Sequence, residues 1–542
     1  MSRVPEPMAG IRESADVDDT VDVEETCSDA TILELDALAR RVAALRAAGH
    51  RVALCHGVFD LLHVGHLRYL RGASRLADVL VVTLTPDRFV DKGPHRPAFG
   101  EELRAEALAA LEMVDHVAIN RWPTAEETLR SLRPDVYVKG AEFQRRGADP
   151  TGKMERERAV AEDVGCRVEF IDDITFSSTA LLNRHLPLYA PEVAEYLERL
   201  RAAGGLERAL ALLERMASLR VLVVGDAIVD EYAYVETLGK SSKDPTLAVR
   251  HLADERFAGG AVAVAHHVAA LGCRVELLAT VGEDEAGAFL AESLGPGVRG
   301  RWVERPGMPT VTKRRIVDRY SSNKLLSLYR MDVAPPPSPV VERQLAELDN
   351  ALGASATPAV DLVVCADYGH QAIPTELVRR LCDAPVVLAV NTQANAGNRG
   401  FHTVTRYSRA DFVCLAEHEI RLETRDSDGA LRPMMRGVAS ALDAPLMVVT
   451  RGKRGSLALA RDQDEPAGTF HEAPALASTV VDRVGAGDAY FAVASLAARL
   501  GAAPDLVSLL GNAAGAQAVG VVGNRRALDA DGLRKQLTSL LK

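Results

Sequence analysis

The sequence predicts an α/β protein built from two doubly wound domains, and three observations carry that expectation. Short apolar strands alternate with helical patterns twice along the chain. A turn rich in histidine and glycine follows the first strong strand of the first run, and a Gly-Ala-Gly-Asp turn opens a helix near the end of the second. Alternation of this kind implies a parallel sheet with helices on both faces, and ligands of such sheets lie beyond the carboxyl ends of the strands.

The elements of the first run can be read in order. An amphipathic helix from Thr31 leads to the strand Arg51–Cys55, and Leu67–Leu70 begins the next helix. The pairs that follow are Val79–Leu84 with Glu101–Leu111, Asp115–Ile119 with Ala125–Leu132, and Asp135–Val138 with Met154–Val164, before a last strand Arg167–Ile171. Residues 1–29 are acidic and lack aromatics, the composition of a flexible tail. The first domain is therefore expected over 30–186, followed by an Ala, Glu and Leu-rich helical linker over 187–218 and a second domain over 219–542. In the second domain Val221–Asp226 reads as a buried strand, the small-residue segment Phe257–Ala265 as a helix start, and Leu247–Leu252 and Thr310–Val317 as β-structure.

Composition narrows the function classes. A chain of 542 residues with 47% hydrophobic content has ample material for large cores. Its charge, 64 basic minus 75 acidic residues, is −11, which argues against nucleic acid or an anionic membrane as the main partner. Seven cysteines occur with no CxxC pair or zinc-ligand spacing, so neither a disulfide framework nor a structural metal is expected. With no basic-then-apolar leader and no apolar run long enough to span a bilayer, the expected location is the cytoplasm.

The first candidate site is His56-Gly57-Val58-Phe59-Asp60-Leu61-Leu62-His63-Val64-Gly65-His66. His63 and His66 fall where a helix begins, and there the helix dipole and free N–H groups favour an anion. Imidazole donors at this point can hold nucleotide phosphates and stabilise charge at the α-phosphorus, while Gly65 permits close backbone approach. The segment resembles the HxGH nucleotidyltransferase superfamily, a Rossmann-like fold, and within it the cytidylyltransferase-like branch. Gly57, Phe59, Asp60, His63, Gly65 and His66 carry its GxFDxxHxGH pattern. The resemblance implies further phosphate or nucleotide contacts at Lys92, Arg104, Lys139, Ser178 and Thr179, and magnesium at the leaving pyrophosphate.

The second candidate site is Asp482-Arg483-Val484-Gly485-Ala486-Gly487-Asp488, where successive N–H groups of Gly485, Ala486 and Gly487 form an anion hole beside a carboxylate. Asp488 is placed to take a proton from a substrate hydroxyl during in-line phosphoryl transfer. From about Leu219 to Lys542 the chain resembles the ribokinase-like carbohydrate kinases, with their small β lid over the sugar. The resemblance implies sugar contacts at Asp226, Asp230, Gly259 and Gly260, a nucleotide-side loop at Gly452 and Gly455, and an adenine cover that includes Asn512. It also implies a link of Glu419 to magnesium and phosphate, ATP as phosphoryl donor, and a homodimer formed through the lid. The chain departs from the family pattern at Ala416 and Ala263, each an asparagine in relatives, and at Asn391–Asn398, where many relatives have an Asp-Pro segment.

Together the halves resemble bifunctional heptose kinase and nucleotidyltransferase enzymes with the domain order reversed. That implies a sugar kinase and a sugar-phosphate nucleotidyltransferase making an activated sugar for surface polysaccharide, with a nucleoside triphosphate (CTP or ATP) and a sugar phosphate as substrates. The alternatives are a single-activity nucleotidyltransferase with a degenerate kinase-like module for sugar binding or dimerisation, and a polyol-phosphate cytidylyltransferase.

Overall fold

The computed structural model describes residues 31–90, 97–143, 152–171, 189–332, 334–353, 359–461, 467–477 and 479–542. These fall into two compact units, the first within 31–171 and the second dominated by 189–542.

The first unit is a six-stranded, wholly parallel sheet in the order β1-β4-β3-β2-β5-β6. The strands are β1 (Thr31–Ile32), β2 (Val52–Gly57), β3 (Val79–Leu84), β4 (His116–Ile119), β5 (Val136–Gly140) and β6 (Arg167–Ile171). Helices between successive strands cover it. β2 and β3 are nearly continuous apolar runs because a parallel sheet covered on both faces hides both sides of its central strands. From β2 the chain goes first to β3 on one side, and later, through β4, to β5 on the other. That reversal opens a crevice between the carboxyl ends of β2 and β5, the place where an open α/β sheet takes its ligand.

The second unit is organised by one long strand, β7 (Arg220–Lys240). Its first seven residues pair with β9 (Arg274–Gly282) and β13 (Leu362–Asp367) in the main sheet. From Ala227 onward it leaves that sheet and pairs with β8 (Leu247–Gly260) and β11 (Val311–Asp318), the latter extended by β12 (Lys324–Arg330). The main sheet runs β10-β9-β7-β13-β14-β15-β16-β17-β18, with β10 (Val298–Arg305), β14 (Val387–Thr392), β15 (Phe412–Ala416), β16 (Leu446–Thr450), β17 (Ser456–Ala460) and β18 (Thr469–Ala473). The expected β-segments at 247–252 and 310–317 are thus parts of one lid sheet. The helix expected from Phe257 begins at Ala261, since residues up to Gly260 remain in β8.

The stretch read as a linker folds into helices Pro191–Ala202 and Gly205–Met216. Tyr196, Leu197, Leu200, Leu212, Leu213 and Met216 join the core that also holds Val493, Leu510 and Leu537. An amphipathic Leu-rich pattern reads the same in a bridging helix and a docked one, and here the apolar face is buried in the second unit.

Candidate functional sites

In the first unit β2 ends at Gly57 and the chain turns into helix Val64–Ser74 with His63 as its N-cap. His63 Nδ1 accepts the Gly65 N–H at 3.1 Å. With Nδ1 an acceptor, the neutral ring carries its proton on Nε2 as a donor; burial lowers the His63 pKa and favours that neutral form. The His63 and His66 rings stack with centroids 4.0 Å apart. Phe59 is in the left-handed region at φ 47°, an uncommon place for a bulky residue. Its ring packs against Gly57, edge-on to His66 and stacked near Tyr69, whose hydroxyl donates to the Val138 carbonyl. Asp60 is buried in the same turn. Strain at Phe59 is thus held by packing that also fixes His66.

Lys139, at the end of β5, lies across the crevice. Its ammonium is 3.0 Å from buried Glu157, which also accepts from the Tyr137 hydroxyl at 2.8 Å and the Ala125 N–H at 2.9 Å. Burial pushes the Glu157 carboxyl up, but Lys139, His56 and the Ala125 N–H bring it down to about 2. Arg104, expected as a phosphate contact, has its guanidinium among protein acceptors. It is 2% exposed, and its guanidinium donates to Phe99, Thr85 and Val58 carbonyls and to Asp87. Those bonds tie together the segments that follow β2 and β3. Lys92, Ser178 and Thr179 lie outside the described residues.

In the second unit Asp488 sits in the first turn of helix Ala486–Arg499, capped by Gly485. Gly485 has φ 83°, and a Cβ there would stand 2.1 Å from Asn524 Oδ1, so only glycine makes this turn. Ala486 and Gly487 follow as the first two helical residues, and Gly487 is open on its side-chain face. The Asp488 carboxylate is buried; its Oδ1 accepts from the Tyr368 hydroxyl at 2.8 Å and from Gln393 Nε2 at 3.3 Å. Burial pushes its pKa to about 6, with Asp230 adding and Tyr368 opposing.

Asp230 ion-pairs with Arg315 from β11. Gly259 lies against its carboxylate, where a Cβ would come within 2.4 Å of Oδ2, and Gly260 turns at φ 61° into the next helix. Asp226, expected on the sugar, accepts from the N–H groups of Tyr368 at 2.8 Å, His370 at 3.4 Å and Ala372 at 3.1 Å. Its place at the strand switch of β7 turns it inward to the turn after β13, so it anchors that turn. Asp482, at the start of the Asp482–Asp488 motif, ties Lys324 of β12 at 2.6 Å and Tyr232 of β7 at 2.7 Å to the Gly523 N–H at 3.0 Å.

Of the residues expected beside the nucleotide, Gly452 and Gly455 bound a short turn before β17, and Asn512 donates to Ser456 Oγ at 3.1 Å. Glu419 accepts from the Ala416 N–H at 2.6 Å and, more weakly, from Ala394 at 3.3 Å, so it caps its own helix where Ala416 cannot. Burial pushes it to about 7 despite those donors. Among the described residues no group of three or more His, Cys, Asp or Glu side chains is placed to hold a metal alone. The donor set still fits a magnesium ion that arrives on triphosphate, which needs one or two protein carboxylates, and Glu419 retains lone pairs for it.

Three residues near Asp488 are not singled out by the sequence motifs: Lys313, Tyr368 and Gln393. Lys313 is buried, with Nζ 5.6 Å and 5.7 Å from the Tyr329 and Tyr368 ring centres. Tyr368 and Gln393 stand just past the carboxyl ends of β13 and β14, and the strand-end rule is the signal that could have found them.

A helix N-terminus with paired imidazoles in one unit, and a buried carboxylate at a glycine turn beside a second β-sheet in the other, mark the two candidate sites of this α/β protein. The profile of the pfkB family carbohydrate kinases matches residues 218–531, more than half of the chain, and the chain belongs to that family. The cytidylyltransferase-like profile matches residues 54–184. The bifunctional protein HldE of Trichlorobacter lovleyi is 35% identical over 181 residues, covering 33% of this chain and 35% of that protein. HldE of Geobacter sulfurreducens is 39% identical over 167 residues, covering 30% and 33%. The chain thus spans about a third of the length of the curated relatives it matches. Escherichia coli phosphofructokinase-2 in complex with potassium aligns at TM-score 0.49 and 16% identity over 60% of this chain and 100% of that one. For a putative ribokinase from Agrobacterium tumefaciens the figures are 0.44 and 20%, over 59% and 98%. No helix among the described residues is long and apolar enough to cross a membrane.

Proposed function

We propose that the chain is a bifunctional enzyme: the second unit phosphorylates a sugar phosphate on its anomeric hydroxyl, and the first joins a sugar 1-phosphate to a nucleotide. In the kinase step Asp488 accepts the proton of the acceptor hydroxyl. The hydroxyl oxygen forms a bond to the γ-phosphorus of ATP as the bond from that phosphorus to ADP breaks. N–H groups of Gly485–Gly487 face the charge that builds on the transferred group. Asp230 and Gly259 orient the sugar, Gly452, Gly455 and Asn512 border the nucleotide, and Glu419 would hold magnesium, which supplies charge neutralisation on the phosphates.

In the transferase step an oxygen of the sugar 1-phosphate attacks the α-phosphorus of CTP or ATP, and pyrophosphate leaves. The nucleophile is already an anion, so no base is required; His63 and His66 donate to the phosphates at the dipole end of their helix. Lys92, Lys139, Ser178 and Thr179 complete the phosphate and nucleotide contacts in this reading. A homodimer through the lid is supported by exposed Leu238, Leu247, Leu326 and Leu328 on β7, β8 and β12. An activated, heptose-like sugar for surface polysaccharide, made in the cytoplasm, is the product class this pairing fits.

The observation that carries the reading is the buried Asp488 carboxylate, held to about 6 beside an anion-binding glycine turn, in a chain that also carries the paired imidazoles. The test is ATP consumption by the full chain with magnesium and a panel of heptose and hexose phosphates. Turnover that Asp488→Asn lowers by about a thousandfold supports the kinase; no turnover with any acceptor, in protein that releases pyrophosphate from CTP or ATP when a sugar 1-phosphate is supplied, favours the single-activity alternative.

A further inference from the structure

The segment Asn391–Asn398, which departs from the family pattern, surrounds one residue of the Asp488 site. Asn395 Nδ2 and Asn398 Nδ2 both donate to the Tyr368 carbonyl, at 2.7 and 2.8 Å. Asp226 accepts the Tyr368 N–H at 2.8 Å from the other side. The Tyr368 backbone is therefore gripped at both its donor and its acceptor, and its buried side chain has one polar atom, the hydroxyl, 2.8 Å from Asp488 Oδ1. Gln393, from the same segment, donates to that same oxygen. Among the described residues both side-chain donors to the carboxylate converge on Oδ1, which leaves Oδ2 for the reacting hydroxyl.

We infer that Tyr368 is the positioning residue of the kinase base, with Asn395, Asn398 and Asp226 as the frame that aims its hydroxyl and Gln393 as a second, weaker guide. The inference rests on the kinase reading above and deepens it. A carboxylate free to rotate about its χ2 presents either oxygen to the acceptor; one clamped on Oδ1 presents a single oxygen in a single orientation, which is the condition for a near-attack geometry. The clamp also sets the charge state. The groups facing Asp488 are Asp230 of β7, Lys313 of β11, Tyr368 after β13, Gln393 after β14, and Glu419 beyond β15. Of these the carboxylates disfavour its ionised form, whereas Lys313, Tyr368 and Gln393 favour it.

The test uses the full chain and two readouts. Tyr368→Phe keeps the ring and removes the hydroxyl. It is expected to lower kcat for ATP consumption about tenfold, with KM for ATP and acceptor within about twofold of wild type. Asn395→Ala, which loosens the frame without touching Asp488, is expected to give a smaller loss of the same kind. The second readout needs no acceptor: carbon-13 NMR of protein labelled at Asp carboxyl carbons, with the Asp488 signal assigned by its loss in Asp488→Asn. Loss of the Tyr368 hydroxyl is expected to move the Asp488 titration midpoint upward. A kcat and a midpoint both unchanged in Tyr368→Phe overturn the inference, as does a loss confined to KM. Failure of wild-type protein to turn over any acceptor overturns the kinase reading instead, and the NMR midpoint still decides whether Tyr368 governs Asp488.

Discussion

The histidine turn of the first unit and the Asp488 turn of the second both stand at a helix N-terminus beyond parallel strands, yet they bury different things. At the first, His63 and His66 are partly exposed, stacked imidazoles at the N-cap end of a helix. At the second, a carboxylate is buried, raised to about 6 and clamped by a tyrosine and a glutamine. On the proposed function the difference follows from the nucleophile. An attacking phosphate is anionic and needs only donors to relieve charge; a sugar hydroxyl must lose a proton, so its site keeps a base whose pKa approaches working pH.

Four expectations break or sharpen this contrast. His66→Ala should slow pyrophosphate release by about a hundredfold or more, the scale of losing one donor to a developing charge, as read by a coupled pyrophosphate assay; unchanged release would remove the imidazoles from the reaction. Next in size is a stability effect confined to the first unit. Glu157→Gln breaks the buried pair with Lys139 and should cost about 3 kcal/mol near neutral pH, measured by denaturant unfolding. The folded-state pKa of Glu157 is depressed to about 2, so its contribution is fully present above its unfolded value. The gap between wild type and variant should therefore narrow as pH falls below about 4.5 toward about 2.

Smaller again is the pH response of the kinase. Asp488 must be ionised to accept a proton, so kcat/KM for ATP consumption should fall about tenfold for each pH unit below about 6 and level off above it; a flat profile to pH 5 would contradict a buried base. The smallest effect concerns the lid. Lys324→Met removes the tie between β12 and Asp482 and should raise the acceptor KM a few-fold with kcat retained, checked by steady-state kinetics.

Much of both sites can be read from the chain because backbone rules fix it. A strand, a glycine and a helix start place His63 at an N-cap, and Gly485 with Asp488 at another, whatever the surroundings. Residues whose role depends on what lies across the fold were less legible. Arg104 lies near a helix start, the place for a phosphate contact, yet its guanidinium meets four protein acceptors, three of them 17 to 46 residues away. Asp226 follows a strand as a sugar ligand would, but β7 switches sheets there and its carboxylate meets the turn after β13. Tyr368 has no motif; it matters because a strand 120 residues before Asp488 ends beside it. The helices at 191–216 show the same limit, since amphipathic spacing tells that a face is buried and not against what.

The most direct test of two chemistries in one chain is a two-by-two measurement on the full protein: ATP consumption with the best acceptor, and pyrophosphate release with the matching sugar 1-phosphate, each for Asp488→Asn and His66→Ala. Asp488→Asn is expected to lose only the first activity and His66→Ala only the second. Loss of both activities in either folded variant, or of neither, would contradict that division.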